Sequence, residues 1–133
     1  MTTLIIQHDD CLRHDTGPNH PECPQRVTAV LNALKGLEGL EYLPAPLADE
    51  TQLTRVHPAA YVDRVRQAEP AEGRTTIDEH DNVLSAGSVN AALRATGGIC
   101  FAIDQLMAGH GRNAFCVTRP PGHHAESALA MGF

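Results

Sequence analysis

Two adjacent histidines, His123 and His124, are the side chains of this sequence best suited to acid–base chemistry. They lie in the segment 119–125, which reads Arg-Pro-Pro-Gly-His-His-Ala and directly follows the apolar stretch Ala114–Thr118. Neighbouring side chains of a regular strand point to opposite faces, but an irregular loop after Pro-Pro-Gly lets both imidazoles converge. Two convergent imidazoles suit proton transfer to and from a polarised water. The alternative is a pair of exposed loop histidines without a chemical role.

Short strands and longer helices are predicted to position this pair. The strand patterns are apolar and β-branched, and they cover Thr3–Gln7, Glu41–Leu43 and Ala114–Thr118. The helical patterns run from Pro24 to Gly36, over Thr51–Val56, from His57-Pro58 onward, and from Ser88 as N-cap to Gly109. The alternation of strands and helices predicts an α/β fold with a largely parallel sheet, whose strand ends carry the site.

Two further segments carry local expectations. Glu69–Asp81 is rich in acidic residues and poor in apolar ones, so it is predicted to be an exposed loop. Gly97-Gly98 lies in the middle of the longest helical pattern. Small residues there predict close packing of the helix against the sheet rather than a break.

Composition excludes several classes of function. The chain has 133 residues, a formal net charge of -6, 42% hydrophobic residues and 20% charged residues, which is typical of a globular domain. With no Trp, two Tyr, three Phe and a single lysine, Lys35, it lacks the basic, aromatic surface of a nucleic-acid binder and the basic patch of a membrane-surface binder. No signal sequence and no stretch of roughly 20 apolar residues is present, and we expect a cytoplasmic protein with free thiols.

A second group of potential ligands lies near the amino terminus. Cys11, His14, His20 and Cys23 place two thiols and two imidazoles within thirteen residues. Tetrahedral zinc accepts such a Cys2His2 set, although the spacing is not that of a standard zinc finger. Two interpretations therefore compete. In one, the four cysteines of the chain are free thiols; in the other, this group forms a small structural-zinc module.

Five segments agree with one known family in order and spacing. Arg-Pro-Pro-Gly-His-His-Ala-Glu at 119–126 is followed by Ala-Met-Gly-Phe at 130–133. Upstream lie His-Pro-Glu-Cys-Pro-Gln-Arg at 20–26, His-Pro-Ala-Ala-Tyr-Val at 57–62 and Ser-Val-Asn-Ala-Ala-Leu-Arg-Ala-Thr-Gly-Gly at 88–98. Together they resemble the histone deacetylase family, in the class II-like branch that includes bacterial deacetylase-like enzymes and acetylpolyamine amidohydrolases.

The resemblance implies a fold and a reaction. The fold would be the N-terminal part of a three-layer α/β, arginase-like deacetylase domain with a mostly parallel sheet. The reaction would be amide hydrolysis at a zinc-bound water, with an acetylated amine or acyl-lysine as substrate. His124 would act as general base and acid, and His123 as its electrostatic and hydrogen-bonding partner. Gly132 and Phe133 would form the wall of the substrate tunnel.

The resemblance also assigns secondary positions. Asp81 falls where family members often place a rim residue that holds the substrate backbone. His20 and Pro21 would lie toward the rim of the site, and Arg26 toward its inner end, although an ordinary salt bridge is an equal alternative for Arg26. Gly122 would support the tandem pair.

The family's zinc ligands, in an Asp-x-His segment and a later Asp, have no counterpart in residues 1–133. We therefore expect these residues to be the N-terminal portion of a single deacetylase domain, truncated just after the tandem histidines, with zinc held by later residues of the parent and the chain inactive alone. A non-catalytic fragment or interaction module is the alternative. An exposed sheet edge would then allow self-association.

Overall fold

The computed structural model describes residues 2–133, which form five strands and four α-helices. The strands are β1 (Thr3–Gln7), β2 (Leu40–Pro44), β3 (Arg74–Ile77), β4 (Glu79–Ser85) and β5 (Asn113–Cys116). The helices are α1 (Gln25–Leu34), α2 (Glu50–Thr54), α3 (Ala59–Ala68) and α4 (Ser88–Met107), and a 3-10 helix covers Asp9–Arg13. The predicted strands and helices therefore all occur, with small shifts at their ends.

The main sheet has three parallel strands in the order β2-β1-β5. Thr3 of β1 lies opposite Leu40 of β2 on one side and Asn113 of β5 on the other. Leu4, Ile5 and Ile6 of β1 are at most 1% exposed. Continuous burial of this kind is expected when helices cover both faces of a parallel sheet.

Alternate residues of β1 pack on opposite faces and build the layers. Leu4 and Ile6 join a cluster with Ala102 of α4, whereas Ile5 joins a cluster with Val27 of α1. One helix thus lies on each face of the sheet, and the α/β prediction is confirmed.

Helix α4 approaches the sheet closely at Gly97 and Gly98, as predicted. A Cβ atom at Gly97 would lie 2.3 Å from the carbonyl oxygen of Pro46, and one at Gly98 would lie 3.2 Å from Cγ2 of Ile6. The bare glycine backbone lets the helix rest directly on the segment after β2 and on β1.

The prediction that Ser88 caps α4 is wrong. The N-cap is Gly87, whose φ of 99° is readily adopted only by glycine. The Ser88 hydroxyl instead lies 2.7 Å from Nδ1 of His14. The free amides of the helix start are bound by the Glu69 carboxylate, which accepts from the amides of Gly87 at 3.0 Å and Val89 at 2.7 Å.

The prediction that Glu69–Asp81 is wholly an exposed loop is also wrong. Its second half enters an antiparallel hairpin, in which Arg74 of β3 lies opposite Ser85 of β4. β-branched residues from Thr75 to Ile77 favour the strand, and Asp78 makes the turn with a φ of 61°. The hairpin buries Ile77 and Leu84, which outweighs the acidic composition of the segment.

Strand β5 pairs with β1 along one side only within residues 2–133, and Phe115 on it is 47% exposed. The four cysteines are free thiols. Among the described helices, none combines the length and hydrophobicity needed to cross a bilayer.

Candidate functional site

The chain leaves the sheet at the carboxyl end of β5 through a buried arginine. Arg119 is 1% exposed, and the peptide bond that joins it to Pro120 is cis. Beyond Pro121 the chain is irregular, residues 122–128 are exposed, and the amide of Ala125 donates to the carbonyl of Gly122 at 3.0 Å in a tight turn. The loop therefore lies at the strand end that sequence patterns indicated.

The tandem histidines lie side by side in this loop. The ring centroids of His123 and His124 are 4.1 Å apart with 46° between the ring planes, and both residues are exposed. The irregular backbone therefore brings the two imidazoles together, where a regular strand would separate them. Paired rings open to solvent can accept and return protons of one bound water or substrate.

Gly132 and Phe133 pack against this pair. The carbonyl of Gly132 accepts from the amide of Gly122 at 3.2 Å. A Cβ at Gly132 would lie 2.7 Å from the amide nitrogen of His123 and 2.9 Å from that of His124, and its φ is 97°. The ring of Phe133 lies 5.8 Å from that of His123 and 4.8 Å from that of His20. The predicted wall residues thus contact the predicted catalytic pair.

A cleft of about 310 Å³ opens beside these rings. Its lining includes Pro21, Arg26, Pro121, His123 and Phe133. The early His-Pro-Glu-x-Pro-x-Arg segment and the tandem-histidine segment, distant in sequence, therefore share one cavity. Pro21 and Arg26 are both exposed at this cleft.

Glu22, to which sequence patterns gave no role, joins the two segments. Its carboxylate, 4% exposed, accepts three hydrogen bonds from the guanidinium of Arg119 at 2.7 to 3.2 Å. Arg119 also donates to the carbonyls of Cys11 and His14. Burial alone would raise the pKa of Glu22, but the hydrogen bonds and charge of Arg119 outweigh it and lower that pKa. The carboxylate therefore stays ionised at neutral pH.

Arg26 makes the salt bridge that was its alternative role. Its Nη1 lies 3.2 Å from Oε1 of Glu22, although the side chain is 60% exposed. Arg26 thus lines the cleft and pairs with a buried carboxylate at once.

Asp81 lies exposed on β4. The contacts from this hairpin to the site segment come instead from its neighbours Asp78 and Asn82: Asn82 donates to the carbonyl of Ala130 at 2.5 Å, and Asp78 accepts from the Ala130 amide at 2.6 Å. The rim role of Asp81 remains a prediction.

The amino-terminal Cys/His group is not gathered into a ligand set. Within residues 2–133 no three His, Cys, Asp or Glu side chains are arranged to hold a metal ion. His14 is buried against Ser88, whereas the ring of His20 packs on Phe133. The structural-zinc module at Cys11, His14, His20 and Cys23 therefore finds no support, and the described residues do not by themselves fit a catalytic zinc site either.

His14 should make folding sensitive to acid. Burial, aided by the charge of Arg119, lowers its pKa from 6.5 to about 4, and its Nε2 is buried with no hydrogen-bond partner among residues 2–133. The unfolded chain therefore binds a proton at His14 more tightly than the folded chain does. The contribution of neutral His14 to the free energy of unfolding is fully present above pH 6.5, and it is lost as the pH falls toward 4. We expect a loss of about 3 kcal/mol across this window.

Urea melts between pH 4.5 and 7.5 would measure this slope. His14→Gln should flatten it, whereas His110→Gln, at an exposed position, should not. An unchanged slope in His14→Gln would assign the acid sensitivity to other groups.

Comparison with known proteins agrees with this geometry. The profile of the histone deacetylase domain matches residues 20–133. A histone deacetylase-like amidohydrolase of Pseudomonas aeruginosa is 34% identical over 85% of this chain and 29% of its own length. The polyamine deacetylase HDAC10 of Rattus norvegicus is 31% identical over the whole chain and 24% of its own length.

A solved structure extends the agreement to the fold. The HD domain of HDA15 superposes with a TM-score of 0.86 at 25% identity, over the whole of this chain and 40% of that one. The chain thus spans less than half the length of these relatives. The family profile alone covers most of the sequence, including both segments that meet at the cleft, and the chain belongs to the histone deacetylase family.

Proposed function

We propose that residues 1–133 form the N-terminal portion of a zinc-dependent deacetylase that hydrolyses acetylated amines or acyl-lysine. The observation that carries this proposal is the imidazole pair at 4.1 Å beside a cleft lined by His123 and Phe133. In the parent domain, zinc would be held by later residues and would polarise the water and the substrate carbonyl.

The two histidines divide the proton transfers. His124 takes a proton from the attacking water and returns it to the departing amine, so that amide cleavage yields a carboxylic acid and a free amine. His123, whose ring packs 5.8 Å from that of Phe133, stabilises the charge that develops beside it. The close approach of Gly132 to the His123 and His124 backbone supports a fixed orientation of both rings.

The substrate class follows from the cleft and from the relatives. An aromatic wall at Phe133 and a proline at 21 suit an extended aliphatic amine with a small acyl group. The names of the Pseudomonas and rat proteins, an amidohydrolase and a polyamine deacetylase, agree with an acetylated amine.

A chimera tests this function. Residues 1–133 would replace the corresponding segment of the Pseudomonas amidohydrolase, and hydrolysis of an acetyl-lysine substrate and an acetylpolyamine would be followed. We expect activity, with His124→Ala reducing kcat about 10²–10⁴-fold and His123→Ala reducing it less. His110→Ala, at an exposed position after α4, is the control that should keep full activity. A folded chimera whose turnover survives His124→Ala contradicts the assignment.

A non-catalytic module that associates through its sheet is the second candidate, and the edge of β5 that has no partner strand within residues 2–133 favours it. The chimera decides between the two candidates, and the isolated chain is measured in the same experiment. We expect it to show no turnover and to self-associate in light scattering. If the isolated chain is a monodisperse monomer, association through the sheet is contradicted. A folded chimera without activity would contradict the deacetylase function and favour the non-catalytic module.

A further inference from the structure

The segment Ser127–Phe133, termed the strap, carries Gly132 and Phe133 to the tandem histidines without forming a helix or strand. Its start is held by His57, whose Nδ1 lies 2.8 Å from the carbonyl of Ser127. Side chains from α3 and the β3–β4 hairpin hold the rest. The position of the strap therefore depends on a small number of polar contacts.

An ion pair binds the middle of the strap. Nη1 and Nη2 of Arg64 lie 2.6 and 3.2 Å from the two carboxylate oxygens of Asp78. The same guanidinium donates to the carbonyl of Ala128 at 3.1 Å, and the Asp78 carboxylate accepts from the amide of Ala130 at 2.6 Å. The hydrogen bonds from Arg64 lower the pKa of Asp78, so the acceptor remains ionised.

Asn82 binds the end of the strap. It is 4% exposed, and its amide group donates to the carbonyl of Ala130 at 2.5 Å and accepts from the amide of Phe133 at 3.2 Å. Both the nitrogen and the oxygen of this buried side-chain amide thus form hydrogen bonds with the strap. Arg64, Asp78 and Asn82 together form what we term the clamp.

The strap in turn fixes the histidines. Gly132 has no room for a Cβ because the backbone amides of His123 and His124 lie within 2.9 Å of that position, and its carbonyl accepts from Gly122. A shift of the strap by even a few tenths of an ångström would therefore move the surface on which the two residues rest.

We propose that the clamp residues are positioning residues of the tandem-histidine site: they orient His123 and His124 by holding the strap against them. The consequence for catalysis rests on the proposed function, but the positioning itself is a property of this chain. Asp78 makes the tight turn of the hairpin, so the same turn that forms the hairpin aims a carboxylate at the strap.

The test measures the chemical reactivity of His123 and His124 directly, and it needs neither substrate nor metal. The chain, Asp78→Asn and Asn82→Ala would be treated with diethyl pyrocarbonate, and modification of each histidine followed by peptide mass spectrometry beside hydrogen exchange of the strap. Asn adopts the positive φ of Asp78 readily, so the turn is kept. Glu79→Gln, an exposed neighbour that removes the same charge, is the matched control.

We expect strap amides to exchange about tenfold faster in both clamp variants. The ratio of the His123 and His124 modification rates should change about threefold or more, and Glu79→Gln should match the parent chain. His14, 1% exposed, should stay protected and so report an intact core.

Faster strap exchange with an unchanged ratio in either variant would overturn the proposal, because the clamp would then hold the strap alone. Reaction of His14 with diethyl pyrocarbonate in a variant would overturn the proposal as well. It would mean that the substituted clamp residue stabilises the core of the domain. An inactive chimera, by contrast, would contradict the proposed function and leave the clamp result unaffected.

Discussion

Glu22→Gln is expected to destabilise the fold by about 3–5 kcal/mol. The substitution keeps the shape of the side chain but removes the negative charge opposite the guanidinium of Arg119, which is 1% exposed. An uncompensated guanidinium would remain beside the carbonyls of Cys11 and His14, far from water. A loss of this size approaches the whole stability of many domains.

The matched control is an exposed ion pair of similar length. Glu50→Gln breaks the pair between Glu50 and Arg66, at 2.8 Å, whose side chains are 50% and 39% exposed. That change should lower the free energy of unfolding by no more than about 1 kcal/mol. Urea melts of both variants at pH 7 would measure the difference, and equal losses would mean that the buried pair has no special weight.

Gly97→Ala should destabilise the fold by about 3 kcal/mol, although alanine is the better helix former by about 1 kcal/mol. The added Cβ would lie 2.3 Å from the carbonyl oxygen of Pro46 and 2.5 Å from the amide nitrogen of Ala48. Both are backbone atoms, so rotation of a side chain cannot relieve either contact. Helix α4 would have to lift from the segment that follows β2.

Gly98→Ala provides the comparison within the same helix. Its Cβ would meet side-chain carbons of Ala45 and Ile6 at 3.0 and 3.2 Å, which can yield slightly. We expect a loss of about 1 kcal/mol, measured by thermal and urea unfolding. A stabilised Gly97→Ala variant would show that helix propensity outweighs the contact.

Sequence patterns predicted the main sheet because its strands leave a strong local signal. Leu4, Ile5 and Ile6 are consecutive apolar residues, as burial on both faces of the sheet requires. The glycine pair of α4 likewise predicted the close approach of this helix to the sheet. The proximity of His123 and His124 followed from the backbone that Pro-Pro-Gly enforces. These features are local, and short stretches of sequence determine them.

The errors and omissions arose from long-range partners. Ser88 resembles a helix cap, but its hydroxyl is engaged by His14, and Glu69 replaces it. The Glu22–Arg119 pair joins residues separated by 97 positions. No pattern within one segment identifies such a partner, although a buried arginine at a strand end implies that a carboxylate must lie nearby.

The order β2-β1-β5 has a consequence for synthesis on the ribosome. Thr3 can pair with Leu40 as soon as β2 has emerged, but its partner on the other side, Asn113, is made far later. At about 5–20 residues per second, β1 waits on the order of 10 s with one edge open. We therefore expect β1, α1 and β2 to form the first folding unit, and nascent chains to need protection of the Leu4–Ile6 edge until β5 arrives.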